Sequence, residues 1–291
     1  MQEETIGIIG GTGLGDALQD KLTDVDFRKV KTPFGDPSTE VMVGRFGERQ
    51  IAFLNRHGLG HKLSPSEVPY AANIFALKDL GVRTLIASGA VGSLREEIAP
   101  GHLVIVDQFI DKTFKRRSTF FADYGAVHCE LSEPTCPRLR RALIDAADKT
   151  DAQTHPSGTY VCMEGPQFST KAESLMHRTW GGDLIGMTAM PEAKLAREAQ
   201  MCYALVALAT DYDCWKEHEP GKDKQTLLAE IIGNLKTATD NCLALLEAFL
   251  ASDTISLAVD CPCRHTLELA VWTDPTRIDS THKGRLAVLF E

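Results

Sequence analysis

Thr5-Ile-Gly-Ile-Ile-Gly-Gly-Thr-Gly-Leu-Gly15 reads as a short strand running straight into a glycine-rich turn. β-branched residues crowd its first half, and the glycines that follow permit a sharp turn toward a helix. Outward along the chain the same rhythm recurs. Thr84–Ser88 leads into Gly89-Ala-Val-Gly-Ser-Leu94, and Tyr203–Ala209 leads into Thr210-Asp-Tyr-Asp-Cys-Trp215. Runs such as Leu103-Val-Ile-Val106 are apolar on both faces, as strands covered by helices on each side must be. Further strands are expected at Glu40–Val43, Ile51–Leu54, Thr159–Met163 and Asp183–Met187. Between them lie helical patterns. Ser64-Pro-Ser-Glu67 has the form of a capping box with Pro65 at the first helical position, and Gly81 is placed to stop that helix. Other helices are expected over Pro191–Cys202 and Lys224–Leu250. The chain is therefore read as an α/β fold, a single domain over 1–291 with a central mixed β-sheet flanked by helices, in which 251–291 is a less regular tail.

Composition narrows the function. With 291 residues, 43% hydrophobic and 24% charged, the chain can bury a sizeable core. Its net charge of −9 excludes a broad nucleic-acid surface, which needs clustered Lys and Arg, yet leaves room for a local anion pocket. No apolar run approaches the roughly 20 residues of a membrane-spanning helix, and the start, MQEETIGIIGG, lacks the basic and apolar pattern of a signal peptide. A cytoplasmic protein without membrane partners is expected. Eight cysteines in a chain of this length do not form a disulfide scaffold. Cys261-Pro-Cys263 stands apart, but with only His265 close by it is read as a redox-labile pair or two ordinary thiols, and no metal site is expected.

Three strand ends carry small or basic residues suited to an anion. Thr12, in the first glycine turn, offers a hydroxyl among backbone N–H groups; that turn fits neither a dinucleotide fingerprint nor a P-loop, and a purely structural turn is the other reading. Arg56 and His57 follow strand Ile51–Leu54, where Arg presents a fork matched to phosphate. Gly89 and Ala90 follow strand Thr84–Ser88. Ligands of α/β sheets collect beyond the carboxyl ends of strands, so the three loops are expected to converge. Asp211 and Asp213, emerging from a buried strand, either read the edge of a purine or cap a following turn. Phe168 is able to stack on a base, while Ser169 caps the helix from Lys171. Thr188 is either an N-cap or an anion ligand.

Taken in order, Ile6-Gly-Ile-Ile-Gly-Gly-Thr-Gly, Thr32-Pro-Phe-Gly-Asp-Pro-Ser, Asn55-Arg-His-Gly, Gly92-Ser-Leu-Arg-Glu-Glu-Ile, Glu164-Gly-Pro-Gln-Phe-Ser-Thr and Ala209-Thr-Asp-Tyr-Asp-Cys-Trp resemble the trimeric purine nucleoside phosphorylase family, and within it the methylthioadenosine phosphorylases. The resemblance implies phosphorolysis of methylthioadenosine to adenine and 5-methylthioribose 1-phosphate in purine and methionine salvage, with inorganic phosphate as co-substrate and no cofactor. It implies a phosphate site from Thr12, Arg56, His57, Gly89, Ala90 and Thr188, with Met187 at the ribose and Phe168 at the base. Asp211 and Asp213 would be catalytic and recognise adenine. His128 would reach a neighbouring subunit's pocket in a homotrimer, and Leu228 would help form the methylthio slot. Two positions depart from the animal members of the family: Gly89 replaces a threonine and Gly186 an asparagine. The alternatives are a purine or methylthioinosine phosphorylase, a hydrolytic nucleosidase, and a nucleotide-binding protein without turnover.

Overall fold

The computed structural model of the chain describes residues 4–11, 13–217, 223–252 and 260–291. Thr12 lies outside them. Among the described residues eleven strands form one mixed sheet: β1 (Thr5–Gly10), β2 (Thr23–Arg28), β3 (Val41–Phe46), β4 (Arg49–Asn55), β5 (Val82–Ser93), β6 (Leu103–Val106), β7 (Gln108–Asp111), β8 (Thr154–His155), β9 (Thr159–Cys162), β10 (Leu184–Gly186) and β11 (Cys202–Tyr212). The helices are α1 (Leu14–Gln19), α2 (Tyr70–Asp79), α3 (Pro137–Ala147), α4 (Lys171–Thr179), α5 (Glu192–Glu198), α6 (Lys224–Leu250) and α7 (Ser280–Arg285).

β5 decides where a site can form. Its first half runs parallel between β1 and β11, whereas Gly92 and Ser93 at its end pair antiparallel with β10 while still bound to β11. The sheet thus changes partner at the carboxyl ends of β1, β4 and β5, opening a crevice there. β1, β6 and most of β11 are buried throughout, because apolar clusters pack on both faces of the sheet.

The expected strands all form, and α6 keeps the bounds expected from its pattern. Asp223 caps α6 by accepting the Thr226 N–H at 2.8 Å. Gly81, at φ +83°, follows α2. Three local expectations are corrected. α2 begins at Tyr70, because Pro69 lacks an N–H and disfavours helical backbone at Val68; the Ser64–Glu67 contact survives as a separate turn in which Ser64 N–H donates to Glu67 at 3.1 Å. Thr170, and not Ser169, caps α4, in a capping box with Glu173. α5 spans only Glu192–Glu198, so Thr188 is not its cap and Cys202 opens β11. The tail is irregular but packed: Leu267, Ala270, Leu286 and Leu289 join the core.

Candidate active site

The crevice at the β5 switch is a cavity of about 830 Å³, large enough for a nucleoside and an anion together. Of the positions expected from sequence, Arg56, His57, Gly89, Ala90, Phe168, Met187, Thr188, Asp211 and Asp213 all line it. Gly11 represents the first glycine turn in the lining.

Arg56 is fully buried and already held. Its Nε and Nη2 donate to the two carboxylate oxygens of Glu192 at 2.7 and 2.9 Å, and Nη1 donates to the Ser88 carbonyl at 2.7 Å. A guanidinium has five N–H groups, so two remain to meet a ligand from a fixed plane. Burial alone would weaken the charge, but the Glu192 carboxylate opposes this and keeps the guanidinium protonated. Tyr203 donates to the same carboxylate at 3.1 Å and fixes it in turn.

His57 behaves differently from a simple cation. Burial pushes its pKa down from 6.5 to about 4, so the ring is neutral near pH 7. Its Nδ1 lies 2.9 Å from the Leu63 carbonyl, which can only accept, so Nδ1 carries the proton and the neutral ring's Nε2 is an acceptor. Such a nitrogen suits the P–O–H group of a protonated phosphate better than a bare oxyanion. The unfolded chain takes up the proton first as pH falls, so the His57 contribution to stability is complete above about 6.5 and is lost between 6.5 and about 4. The stability gap between wild type and His57→Gln, measured by denaturant unfolding, is expected to narrow over that window. A gap independent of pH would contradict the neutral, buried ring.

Gly89 and Thr188 complete this end of the cavity. A Cβ added at Gly89 would stand 3.0 Å from Thr188 Oγ1, so the small residue keeps that hydroxyl open. Thr188 Oγ1 is buried and meets no hydrogen-bond partner among the described residues. An orphaned buried hydroxyl is costly unless a ligand satisfies it.

At the other end, β11 shifts register between Ala209 and Asp211, leaving Thr210 at the bulge. Bulges re-aim side chains, and this one sends Asp211 toward the cavity. Thr210 donates its hydroxyl to Asp211 Oδ1 at 2.7 Å, and Asn234 of α6 donates to the Thr210 carbonyl at 3.0 Å. Asp213 is buried, and its Oδ2 has no hydrogen-bond partner among the described residues. Trp215 lies outside the lining and donates to the Ser93 carbonyl at 2.8 Å under the Arg178 guanidinium. Phe168 is 85% exposed at the cavity mouth, where a bound base would cover it.

Gly186 is explained by its neighbour. A Cβ there would fall 2.0 Å from the Tyr160 hydroxyl and 2.5 Å from its ring, so tyrosine occupies the space that a side chain at 186 would need. The Tyr160 hydroxyl accepts the Thr188 N–H at 3.3 Å, tying this packing to the anion end. Gly186→Asn is expected to cost about 1–3 kcal/mol by overpacking. Thermal unfolding checks it; an asparagine tolerated at wild-type stability would contradict the packing.

This geometry can be set beside known proteins. The profile of the phosphorylase superfamily matches residues 5–251. The chain belongs to the phosphorylase superfamily. Among curated relatives it is 49% identical to S-methyl-5′-thioadenosine phosphorylase of Cereibacter sphaeroides over 276 residues, covering 94% of this chain and 93% of the relative. It is 45% identical to that of Geobacter sulfurreducens, over 99% of this chain and 98% of the relative. A crystal structure of methylthioadenosine phosphorylase from an antarctic soil metagenomic library superposes with a TM-score of 0.91 at 43% identity, covering all of both chains. The Schistosoma mansoni methylthioadenosine phosphorylase in complex with adenine gives 0.79 at 37% identity, over 86% of this chain and 91% of that one.

One residue expected at the pocket of this phosphorylase lies outside its lining. Leu228 is exposed and outside the cavity lining. Leu227, Ile231, Asn234 and Leu235 line it instead, following helical spacing along α6, and a step of one residue turns Leu228 about 100° away. His128, expected to reach a neighbouring subunit's pocket and not this one, is exposed and packs edge-on against Trp272 with ring centroids 4.9 Å apart.

Several residues that hold the site were not singled out by sequence. Glu192 pairs with Arg56 across 136 positions of chain, and no local motif marks it. Arg116 Nη1 donates to the carbonyls of Met187 and Met190 at 2.6 Å each, and its Nη2 donates to that of Glu164 at 2.7 Å, clamping the loop before α5 to the Glu164 turn. The Glu164 carboxylate accepts from Ser66, from Phe114 N–H at 2.7 Å and from Arg116 Nε at 3.2 Å. Burial pushes that carboxyl up, but these bonds outweigh it and hold the pKa down at about 2. Glu164 is thus an anchor for the Phe168 loop.

Proposed function

We propose that this phosphorylase cleaves S-methyl-5′-thioadenosine with inorganic phosphate, giving adenine and 5-methylthioribose 1-phosphate, products suited to purine and methionine salvage. One observation carries the reading. A single cavity holds two orphaned buried polar groups, the Thr188 hydroxyl near the Arg56–Ser88–Gly89 cluster and the Asp213 carboxylate next to Asp211. One end suits an anion; the other suits the amino edge of a purine.

In this mechanism phosphate is held by Arg56, His57, Thr188 and the backbone of Gly89 and Ala90. The C1′–N9 bond loosens first and its electron pair moves into the purine. Asp211, acting as a carboxylic acid, gives its proton or a hydrogen bond to N7, while Asp213 accepts from the exocyclic amine. A phosphate oxygen then bonds to C1′. Positioning and electrostatics supply the rate, with no covalent enzyme intermediate and no cofactor. Met187 contacts the ribose, Phe168 stacks on the base, and Leu227 with Ile231 supplies the apolar slot for methylthio. Thr12 belongs to the phosphate site by resemblance.

A homotrimer and a cytoplasmic location belong to the same proposal. The exposed Leu228 and Ile232, one helical turn apart on α6, offer an apolar strip for a neighbouring subunit. All eight cysteines are free, as in a reducing compartment.

Competition between nucleosides tests the substrate. With phosphate present, kcat/KM for methylthioadenosine is expected to exceed that for inosine by more than tenfold, with adenosine between them. Equal or better use of inosine would favour a 6-oxopurine phosphorylase instead.

A further inference from the structure

Far from the cavity, four cysteines that are distant in sequence meet in one place. Cys136 opens α3, Cys202 opens β11, and Cys261 and Cys263 flank Pro262 in the tail; all four are buried. Their four sulfur atoms lie within 4.8 Å of one another. Cys136 Sγ and Cys261 Sγ are 3.7 Å apart. Four thiolates at about 2.3 Å from one zinc ion form a tetrahedron whose edges are about 3.8 Å, so the cluster is already close to the size of a mononuclear tetrathiolate site. Two disulfides would also use all four sulfurs, but each needs about 2.05 Å between its pair, and all eight cysteines here are free. His265, the ligand the sequence offered, is not part of the cluster: its two nitrogens face Asp260 at 2.6 Å and Glu268 at 2.8 Å.

The surroundings are built for thiolates. Arg138 Nη2 donates to Cys202 Sγ at 3.6 Å, and Arg197 Nη1 donates to Cys263 Sγ at 3.6 Å. The Leu139 N–H donates to Cys136 Sγ at 3.5 Å. A neutral thiol is a poor acceptor, whereas a metal-bound thiolate accepts such bonds well, and two arginines offset the double negative charge of a zinc tetrathiolate.

We propose that Cys136, Cys202, Cys261 and Cys263 bind one structural zinc ion that clips the C-terminal tail to α3 and to the start of β11. On binding, the four thiols release their protons to solvent, four zinc–sulfur bonds form, and no redox change occurs. Cys202 and Asp211 stand near opposite ends of β11, about 30 Å apart at about 3.3 Å per residue, so the ion takes no part in cleavage. Its effect is to hold the tail, which supplies Leu267, Ala270 and Leu289 to the core and sets Trp272 against His128.

Metal analysis of the full chain, produced in zinc-supplemented medium and freed of loose ions by gel filtration, tests this. About one zinc per chain is expected, falling at least tenfold in Cys261→Ser/Cys263→Ser. If that variant does not fold, the wild-type protein still decides. Mercurial titration of its thiols should release zinc stoichiometrically, and protein grown with cobalt should show the intense near-ultraviolet thiolate-to-cobalt bands of a four-sulfur site. Zinc below about a tenth per chain overturns the proposal, whether mass spectrometry of the alkylated chain finds four free thiols or disulfides. Bound cobalt without those bands overturns it as well.

Discussion

Asp211→Asn is expected to lower kcat/KM for methylthioadenosine by about 100- to 1,000-fold, the usual scale for losing one group that meets developing charge in a transition state. The bulge at Thr210 and the Thr210 hydroxyl bond orient Asp211 in the cavity, and asparagine keeps its shape and its place in that bond. What asparagine loses is the acidic proton for N7. The fall should appear in kcat as much as in kcat/KM, because the interaction strengthens as the base departs. An amide also donates to a 6-oxo group, so the ratio of inosine to methylthioadenosine turnover should rise. Steady-state kinetics on both nucleosides checks this, and an unchanged base preference would remove Asp211 from base reading.

Glu192→Ala should cost about 3–5 kcal/mol of stability, the scale for breaking a buried ion pair and leaving one charge alone. Both Arg56 and Glu192 are 1% exposed, so water cannot replace the lost carboxylate. Free of its fork, Arg56 would no longer present two N–H groups from a fixed plane, and the KM for phosphate is expected to rise more than tenfold. Glu192→Gln keeps one acceptor for the guanidinium and should lose less on both measures. Denaturant unfolding of the three proteins with phosphate kinetics tests the ordering; wild-type stability in Glu192→Ala would contradict the account of Arg56.

The legible parts of this molecule were those whose physics is local. β1, β6 and β11 announce themselves as apolar runs, and α6 by its long helical pattern. β2, Thr-Asp-Val-Asp-Phe-Arg, is an edge strand exposed on most positions, and its alternation, Val25 and Phe27 between charged residues, is too brief to stand out beside the longer apolar runs. β7 and β8 are too short to carry a pattern. Along α2 and α4 the caps shifted because one proline, or one hydroxyl against its neighbour, decides where helical backbone can begin. The cavity positions at strand ends could be read because small and basic residues follow apolar runs there. Their supports, Glu192, Arg116 and Tyr160, act across long stretches of chain and leave no local trace. The same holds for Cys136, a helix cap between Thr135 and Pro137, and for Cys202, at the head of an apolar run, until the fold brings Cys261 and Cys263 beside them. Leu228 lies outside the lining for a smaller reason: on a helix, a neighbour in sequence points elsewhere.

The central claim is that phosphate, and not water, takes the sugar. Incubating the purified chain with methylthioadenosine, with and without inorganic phosphate, while following adenine by absorbance and sugar phosphate by phosphorus NMR, tests it most directly. The account predicts adenine and sugar phosphate in equal amounts, and no adenine above background when phosphate is left out. Adenine released at the same rate without phosphate, with free sugar as the other product, would contradict it.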